Sequence, residues 1–479
     1  MSYESAEGMR FFCYCMERMS QNNLSFRASC LILFLILFGG VAYVHQGGTS
    51  WNQSSRLALL HVFVEEGRFS IDSLHNVTGD KSFFDGHYYS DKAPGIAFLA
   101  LPAFTISWLV AQGAGVPPRS QWGWELTSWI TTVGSVGLLA ALGGVAFYTL
   151  LVHHRLGKKT AFLATVVMFF GSLSFSYATA LFSHGAVIGL LCIALSALLT
   201  TPQDSSALRR RLLLAGFVSG LAVSGDFMAM SGAGGVFLLS LRHGWRNTFF
   251  FLSAFLFPVL LVPLNSIFSF GSPFVIGYSY EVIFTQMNAG FFGIHAPSLR
   301  FLAELLAGPA YGLFFWSPFF LLAVPGYVLL FHRDRWLFWV TLLIPIIHAI
   351  IISGYFEPRA GFALGPRYLS SVLPFLMLPA AYGFRQSPIV GSFLAVFSII
   401  LTGGATLVTS TPPQLTNPLY EFYFPRWEEG SLLAHNMGKL MGLPGWWSIA
   451  PLAAFVVILS VYVFLRLPEE PMGNTSINS

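Results

Sequence analysis

Apolar stretches close to the length of a membrane span recur in this chain from Ala28 to Arg466. About twenty helical residues cross the hydrocarbon core of a bilayer. Inside lipid, every backbone N–H and C=O must find a partner within the protein, so runs of this length cross as helices. Composition agrees. Of 479 residues, 55% are hydrophobic and 10% are charged, against roughly a quarter charged in an ordinary soluble chain. The expected fold class is an all-α polytopic membrane protein. The net charge of +4 says little, because the placement of charges carries the information. Membrane lipids are expected partners and nucleic acid is not.

The candidate spans are 28–46, 124–152, 160–178, 185–200, 211–225, 227–241, 248–268, 312–331, 336–353, 368–384, 389–408 and 447–466, about twelve in all, with 11–13 as the range. The apolar stretch 95–111 decides the count. If it does not cross, the connections bearing Arg155, Lys158 and Lys159, Arg209–Arg211, Arg242 and Arg246, Arg333 and Arg335, and Arg385 all share the side of Arg10, Arg18 and Arg27. That arrangement satisfies the positive-inside rule at every turn and places both termini in the cytoplasm. We therefore expect 95–111 to re-enter the membrane or lie at its interface, helped by Pro94, Gly95 and Pro102. The organisation is then a 1–27 cytoplasmic N-terminus, a 28–466 membrane domain with a long first outer loop (47–123), and a disordered 467–479 tail. The first run has no small-x-small cleavage site and reads as a retained helix. Cys13, Cys15, Cys30 and Cys192 fall before or within spans, so no outer disulfide is expected.

The first outer loop concentrates charge in a chain that has little. Between Trp51 and Pro102 lie Asp72, Asp80, Asp85, Asp91, Arg56, Arg68, Lys81, Lys92, His61, His75 and His87. Arg56–Phe69 has helical apolar spacing at Leu57, Leu60 and Val64, suited to a helix lying on the membrane, with Gly67 ending it. Glu65 and Glu66 read as its solvated face. His87-Tyr88-Tyr89-Ser90-Asp91-Lys92-Ala93-Pro94-Gly95 places an acid and a lysine where the chain returns to the membrane. Asp91 can accept a proton from a hydroxyl or hold a metal, and Lys92 can neutralise a phosphate. Charges at membrane depth are costly and mostly functional. The same argument singles out Asp226 between two apolar runs. His184 starts a helix on the outer side, and Glu357, Arg359 and Arg367 sit in Gly354–Tyr368, where a guanidinium can fork onto a surface phosphate.

Together these features resemble the GT-C class of membrane glycosyltransferases. The likeness is to the bacterial branch (family 39-like) related to protein O-mannosyltransferases and the aminoarabinose–lipid A transferase. That family opens its first outer loop with an acid pair followed by arginine and closes it with a Glu/Asp-Lys-Pro-Pro-like motif. Asp91-Lys92-Ala93-Pro94 matches the second motif, and Arg56 falls near the expected arginine. Gly365-Pro366-Arg367-Tyr368, Phe270-Gly271-Ser272-Pro273 and Gly312-Leu313-Phe314-Phe315-Trp316-Ser317-Pro318 also look like it. The chain departs from the family at Asn52-Gln53, which replaces the acid pair, and an amide cannot serve as a general base.

The resemblance implies transfer of a sugar from a polyprenyl-phosphate donor to an acceptor (lipid, glycan or protein) on the outer face of a bacterial inner membrane, with inversion. It implies catalysis by an acid drawn from Asp91, Asp72, Asp80 and Asp226. Lys92, Arg56, Arg367 and Tyr368 would hold the donor phosphate, and His87, Tyr89, His184 and Glu357 would orient the acceptor. No cofactor is required, and a divalent metal is possible. Two other classes stay open. A secondary transporter or lipid permease would show internal repeats and midplane charges, and an outer-face polysaccharide polymerase or ligase would share the lipid-linked substrate.

Overall fold

The computed structural model describes residues 24–200, 204–288 and 292–468. Cys13, Cys15, Arg10, Arg18 and the tail from Glu469 lie outside them. Each of the twelve apolar stretches is helical, and the chain is an all-helical polytopic membrane protein.

The first helix, α1 (Phe26–Tyr43), runs into a short strand, β1 (Val44–His45). Helix α2 (Trp51–Glu66) follows, then the hairpin β2 (Lys81–Phe84) and β3 (His87–Ser90). Next come α3 (Gly95–Gly113), α4 (Gln121–His153), α5 (Lys158–Phe170), α6 (Ser183–Leu199), α7 (Ser205–Gly225) and α8 (Ala229–Ser240). The second half holds α9 (Trp245–Phe270), α10 (Leu299–Ala307), α11 (Pro318–Arg333), α12 (Arg335–Ser353), α13 (Leu373–Gln386) and α14 (Pro388–Val408). Strand β4 (His435–Asn436) and α15 (Gly445–Arg466) complete it. Among the described residues α1, α3, α4, α9, α12, α14 and α15 are long and apolar enough to cross a membrane, and α6 and α11 are shorter apolar helices.

Several helix starts carry side-chain caps. Ser25, Ser120, Asp204 and Asp334 accept from the backbone N–H of Ala28, Gly123, Ala207 and Leu337, satisfying donors that the helix cannot. Gly67 ends α2 in the left-handed region at φ 66°. The 95–111 stretch, expected to re-enter or lie at the interface, is one unbroken helix of 19 residues that also meets the length for crossing.

Four apolar clusters hold the described helices together. Leu33, Leu37, Phe147, Tyr148, Phe162 and Phe375 belong to a large cluster spanning α1, α4–α8 and α11–α13. A smaller cluster packs α2 against its neighbours through Leu57, Leu60, Ile96, Phe104, Val136 and Leu181. This smaller cluster changes the reading of α2. The spacing predicts a one-sided helix, yet every residue from Gln53 to Val62 is buried, because the hairpin and α3 cover the polar face. Glu65 and Glu66, expected to face solvent, hold Arg119 at 2.5 and 2.6 Å.

The β-structure is small and has no counterpart in the apolar pattern. Lys81 pairs with Ser90 and Phe84 with His87 in an antiparallel hairpin. Its tip is Asp85-Gly86, with φ of 48° and 83°, the two positive values that a tight type I′ turn needs. Strands β1 and β4 pair Val44 with Asn436 and His45 with His435, tying the end of α1 to the segment before α15.

Candidate functional site

The site is built where α2, the hairpin, the start of α3, the end of α7 and the chain around Gly277 and Arg367 meet. Helix α2 contributes Arg56, 3% exposed. Its Nη1 donates to the backbone oxygen and to the side-chain Oδ1 of Asn52, one turn earlier, while its Nε has no partner. The amides of Asn52 and Gln53, which the resemblance sets where an acid pair would stand, are structural here. Asn52 holds Arg56, and Gln53 spans from Ser50 Oγ (3.0 Å) to the backbone N–H of Leu181 (2.9 Å). Neither can take up a proton at ordinary pH.

The hairpin and the turn after it supply the acids. Lys92 Nζ lies 2.7 Å from Asp80 Oδ2 and 2.8 Å from Asp91 Oδ2. Both carboxylates hold the ammonium charged, and the Lys92 pKa is raised. Asp91 is 2% exposed and hydrogen-bonds Glu281, itself 3% exposed. Burial raises the pKa of both carboxyls; the charge of Asp80 adds to it at Asp91, where the Glu281 hydrogen bond acts the other way, and the charge of Asp91 adds to it at Glu281, which reaches about 9. Asp91 Oδ1 and Glu281 Oε2 have no other donor. Of the two, Glu281 is the carboxyl held protonated, so that it can donate to Asp91.

Two close approaches set this geometry. A Cβ on Gly95 would come within 2.6 Å of the backbone of Ser224 and Gly225, so only glycine lets the start of α3 press on the end of α7 and bring Asp91 and Lys92 toward Asp226. A Cβ on Gly277 would lie 2.8 Å from the Asp91 Cα, and Ser82 Oγ donates to the Gly277 carbonyl at 2.7 Å. The chain from Gly277 to Glu281 is thereby laid against Asp91.

Asp226 caps α7 and accepts from Ser183 Oγ at 2.8 Å and from the Met228 N–H at 3.0 Å. His184 Nδ1 sits 3.0 Å from its Oδ2 and 3.1 Å from Ser370 Oγ. These partners hold the Asp226 carboxyl down at about 2 despite its burial. Arg367 lies over the rings of Phe182 and Tyr368, at 5.4 and 5.5 Å, and its Nε also has no partner. Among the described residues neither Arg56 nor Arg367 forms an ion pair within 4 Å. Asp226, Asp91 and Asp80 nevertheless lie near enough to stabilise the Arg56 charge, and Asp80 that of Arg367. Two guanidiniums in a buried setting without a carboxylate on them form a place for an anion.

Of the residues singled out from sequence, Asp91, Asp80, Asp226, Lys92, Arg56, Arg367, Tyr368 and His184 therefore gather around one centre. The others stand apart. Asp72 is taken by His87 Nδ1 and the Tyr88 N–H, each at 2.7 Å, on the exposed side of the hairpin. Tyr89 packs on Phe270, with ring centroids 5.3 Å apart. Glu357 is half-buried in the turn after α12 and takes part in no ion pair of this cluster. Sequence reading missed Glu281 and also Tyr278, which lies within electrostatic reach of Lys92, Asp91 and Asp226. Both come from the long connection after α9, where an acid is ordinarily solvated, and only the pairing of Ser82 with Glu281 reveals their position. Among the described residues no group of three His, Cys, Asp or Glu side chains is arranged to hold a metal.

No protein-family model matches this sequence, and no curated protein matches it as a relative. Solved structures do match. The crystal structure of ArnT from Cupriavidus metallidurans bound to undecaprenyl phosphate aligns with a TM-score of 0.51 at 14% identity, covering 91% of this chain and 76% of that one. The apo structure of the same protein aligns with a TM-score of 0.51 at 15% identity, covering 92% and 77%. The likeness extends along nearly all of the chain, and it establishes that this membrane protein shares the fold of ArnT, as the resemblance to the aminoarabinose–lipid A transferase branch led us to expect.

Proposed function

We propose that the protein is a membrane glycosyltransferase. It would move a sugar from a polyprenyl-phosphate donor to an acceptor hydroxyl on the outer, periplasmic face of a bacterial inner membrane. The observation that carries this reading is the pair of guanidiniums, buried Arg56 and half-buried Arg367, whose enclosed Nε atoms have no partner, beside the Asp91–Glu281 carboxyl pair. The fold held in common with a protein that binds undecaprenyl phosphate supports a lipid-phosphate ligand for them.

In this scheme the donor phosphate enters between Arg56 and Arg367, and the lipid tail lies along the helices. The acceptor oxygen attacks the anomeric carbon, the bond from that carbon to the phosphate oxygen breaks, and the acceptor proton passes to Asp91. The two guanidiniums stabilise the negative charge that grows on the departing phosphate, and displacement from the opposite face inverts the anomeric centre. Asp91 suits the base role better than Asp226. Its pKa is raised toward the working range, whereas Asp226 is held ionised by His184 and Ser183, which makes it a poor proton acceptor. Asp226 instead orients His184 and balances Arg56. Lys92, held by Asp80 and Asp91, positions the base, and its remaining donor can reach the phosphate.

The test is native mass spectrometry of the purified protein supplied with polyprenyl phosphate, joined to a transfer assay with the polyprenyl-phosphate sugar. Lipid bound by the natural protein and lost in Arg367→Ala is expected. A protein that binds no such lipid would turn the reading toward transport.

A further inference from the structure

The Asp91–Glu281 pair has a second face. The chain from Gly277 to Asn288 lies across the hairpin, held by Ser82 Oγ on the Gly277 carbonyl and by the Val282 N–H on the Lys81 carbonyl at 3.1 Å. Between them is a pocket of about 380 Å³ whose lining includes Phe83, Tyr88, Tyr280, Asn288 and Glu281. Glu281 thus belongs both to this pocket and to the buried acid cluster.

The lining selects a class of ligand. Phe83 and Tyr88 place their rings 4.9 Å apart at a tilt of 49°, and Phe83 is 47% exposed, so a ring face is available for stacking. Asn288 is exposed and its Nδ2 donates to the Glu281 carbonyl at 3.3 Å, so a purely apolar guest would strand its amide oxygen, at a cost. An anionic guest would meet the Glu281 side of the lining, and the nearby cation, Lys81 over the Tyr88 ring at 5.1 Å, is tied to the His75 carbonyl at 2.7 Å. A saccharide answers both demands. Its C–H faces pack on aromatic rings, and its hydroxyls bond to amides and carboxyls. The volume falls in the range of small-molecule sites.

We propose that this pocket is a saccharide-binding site, and that it is the acceptor-side subsite, with Glu281 as the wall it shares with Asp91. Calling the bound sugar the acceptor rests on the transferase reading; the binding does not.

The test uses the full chain in phosphatidylcholine nanodiscs and saturation-transfer NMR with chitobiose, maltose and cellobiose as probes. Transfer to the ring protons of at least one disaccharide is expected. It should fall about five-fold or more in Phe83→Ala and Tyr280→Ala, the loss of about 1 kcal/mol of aromatic contact, and persist in Arg367→Ala. The exposed position of Phe83 lets its variant fold, and a melting curve checks this. Absence of transfer from all three sugars, or equal transfer in the two aromatic variants, overturns the proposal. Sugar binding lost in those variants, in a protein that binds no polyprenyl phosphate, leaves the pocket standing and removes the transferase reading. Lipid binding without sugar binding does the reverse.

Discussion

Asp91 and Glu281 share a hydrogen bond in the interior, one from the turn after the hairpin and the other from the connection after α9. Each alone is a costly group to bury. Together with Lys92 and Asp80 they make a cluster in which one proton removes one charge, leaving Lys92 faced by fewer negative partners. The arrangement couples the position of the long connection to the protonation of the proposed base.

That coupling sets a pH dependence of stability. The Glu281 carboxyl has a folded pKa of about 9 against an ordinary value of 4.5. A pKa raised on folding stabilises the native state below the unfolded value, and the contribution is lost as pH rises through the folded one. Thermal melting should therefore show a decline between about pH 5 and 9 that Glu281→Gln flattens, because the amide keeps a donor to Asp91 without titrating. The same variant should leave the acidic limb of the transfer rate in place, since Glu281 is protonated and uncharged there and the amide donates to Asp91 in its stead. Melting curves and pH–rate profiles of the two proteins check both.

Removing the proposed base should separate two acids that sequence alone could not rank. Asp91→Asn is expected to lower transfer by about 10²–10⁴-fold, the usual worth of a positioned general base, with donor binding retained. Asp226→Asn should weaken both binding and transfer, since it releases His184 and leaves Arg56 less balanced. Single-turnover rates beside lipid-binding measurements distinguish the two patterns. Equal effects on rate from both variants would return the base to the His184–Asp226 side.

How much of this the sequence carried depends on the range of the interaction. The helices were legible because lipid demands long apolar runs, and Gly67 marked the end of α2. The association of Asp91 with Lys92 was legible because the residues adjoin. The hairpin had a local signal, Asp85-Gly86 between Phe84 and His87, that hydrophobic alternation did not reinforce. Glu281 had no local signal at all. Its burial comes with a pairing to Ser82, far away in the sequence. The burial of α2 was hidden for the same reason, since the apolar spacing describes one face and cannot report what covers the other.

The far end of α2 offers a structural control away from the site. Arg119 joins Glu65 and Glu66 at 2.5 and 2.6 Å, and Glu65 also receives Trp108 Nε1 at 3.0 Å. The pairs are partly exposed, so solvent screening limits them to about 1 kcal/mol. Arg119→Ala should lower the melting temperature by only about a degree or two and leave polyprenyl-phosphate affinity unchanged. A loss of lipid binding instead would show that the position of Arg56 depends on this end of the helix.

Sidedness has its own test. If the basic connections face the cytoplasm, cysteines placed at Arg155, Arg209 and Arg333 should stay unlabelled by an impermeant maleimide added to intact cells, and a cysteine at Asp85 on the hairpin tip should react. Labelling at Arg155 would mean that α3 crosses the bilayer and that every later span is inverted relative to the cytoplasmic placement of these arginines.

The two guanidiniums give the sharpest expectation for the donor. Arg56 has its Nη1 committed to Asn52 and its Nε free; Arg367 is steadied by Phe182 and Tyr368 and is likewise free at Nε. A charge-assisted hydrogen bond contributes about 1.5–3 kcal/mol, so Arg367→Ala or Arg56→Ala should weaken polyprenyl-phosphate binding by about ten- to a hundred-fold. Arg367→Lys should recover little, because an ammonium cannot stack on the two rings and fork onto a phosphate together. Replacing Asn52 with Asp asks a different question of the same helix. It would give Arg56 a full carboxylate partner, quench the vacant guanidinium, and reduce lipid binding. Titration of each variant with polyprenyl phosphate in nanodiscs decides the matter. Tighter binding in Asn52→Asp would mean that Arg56 is oriented by that acid and not neutralised by it.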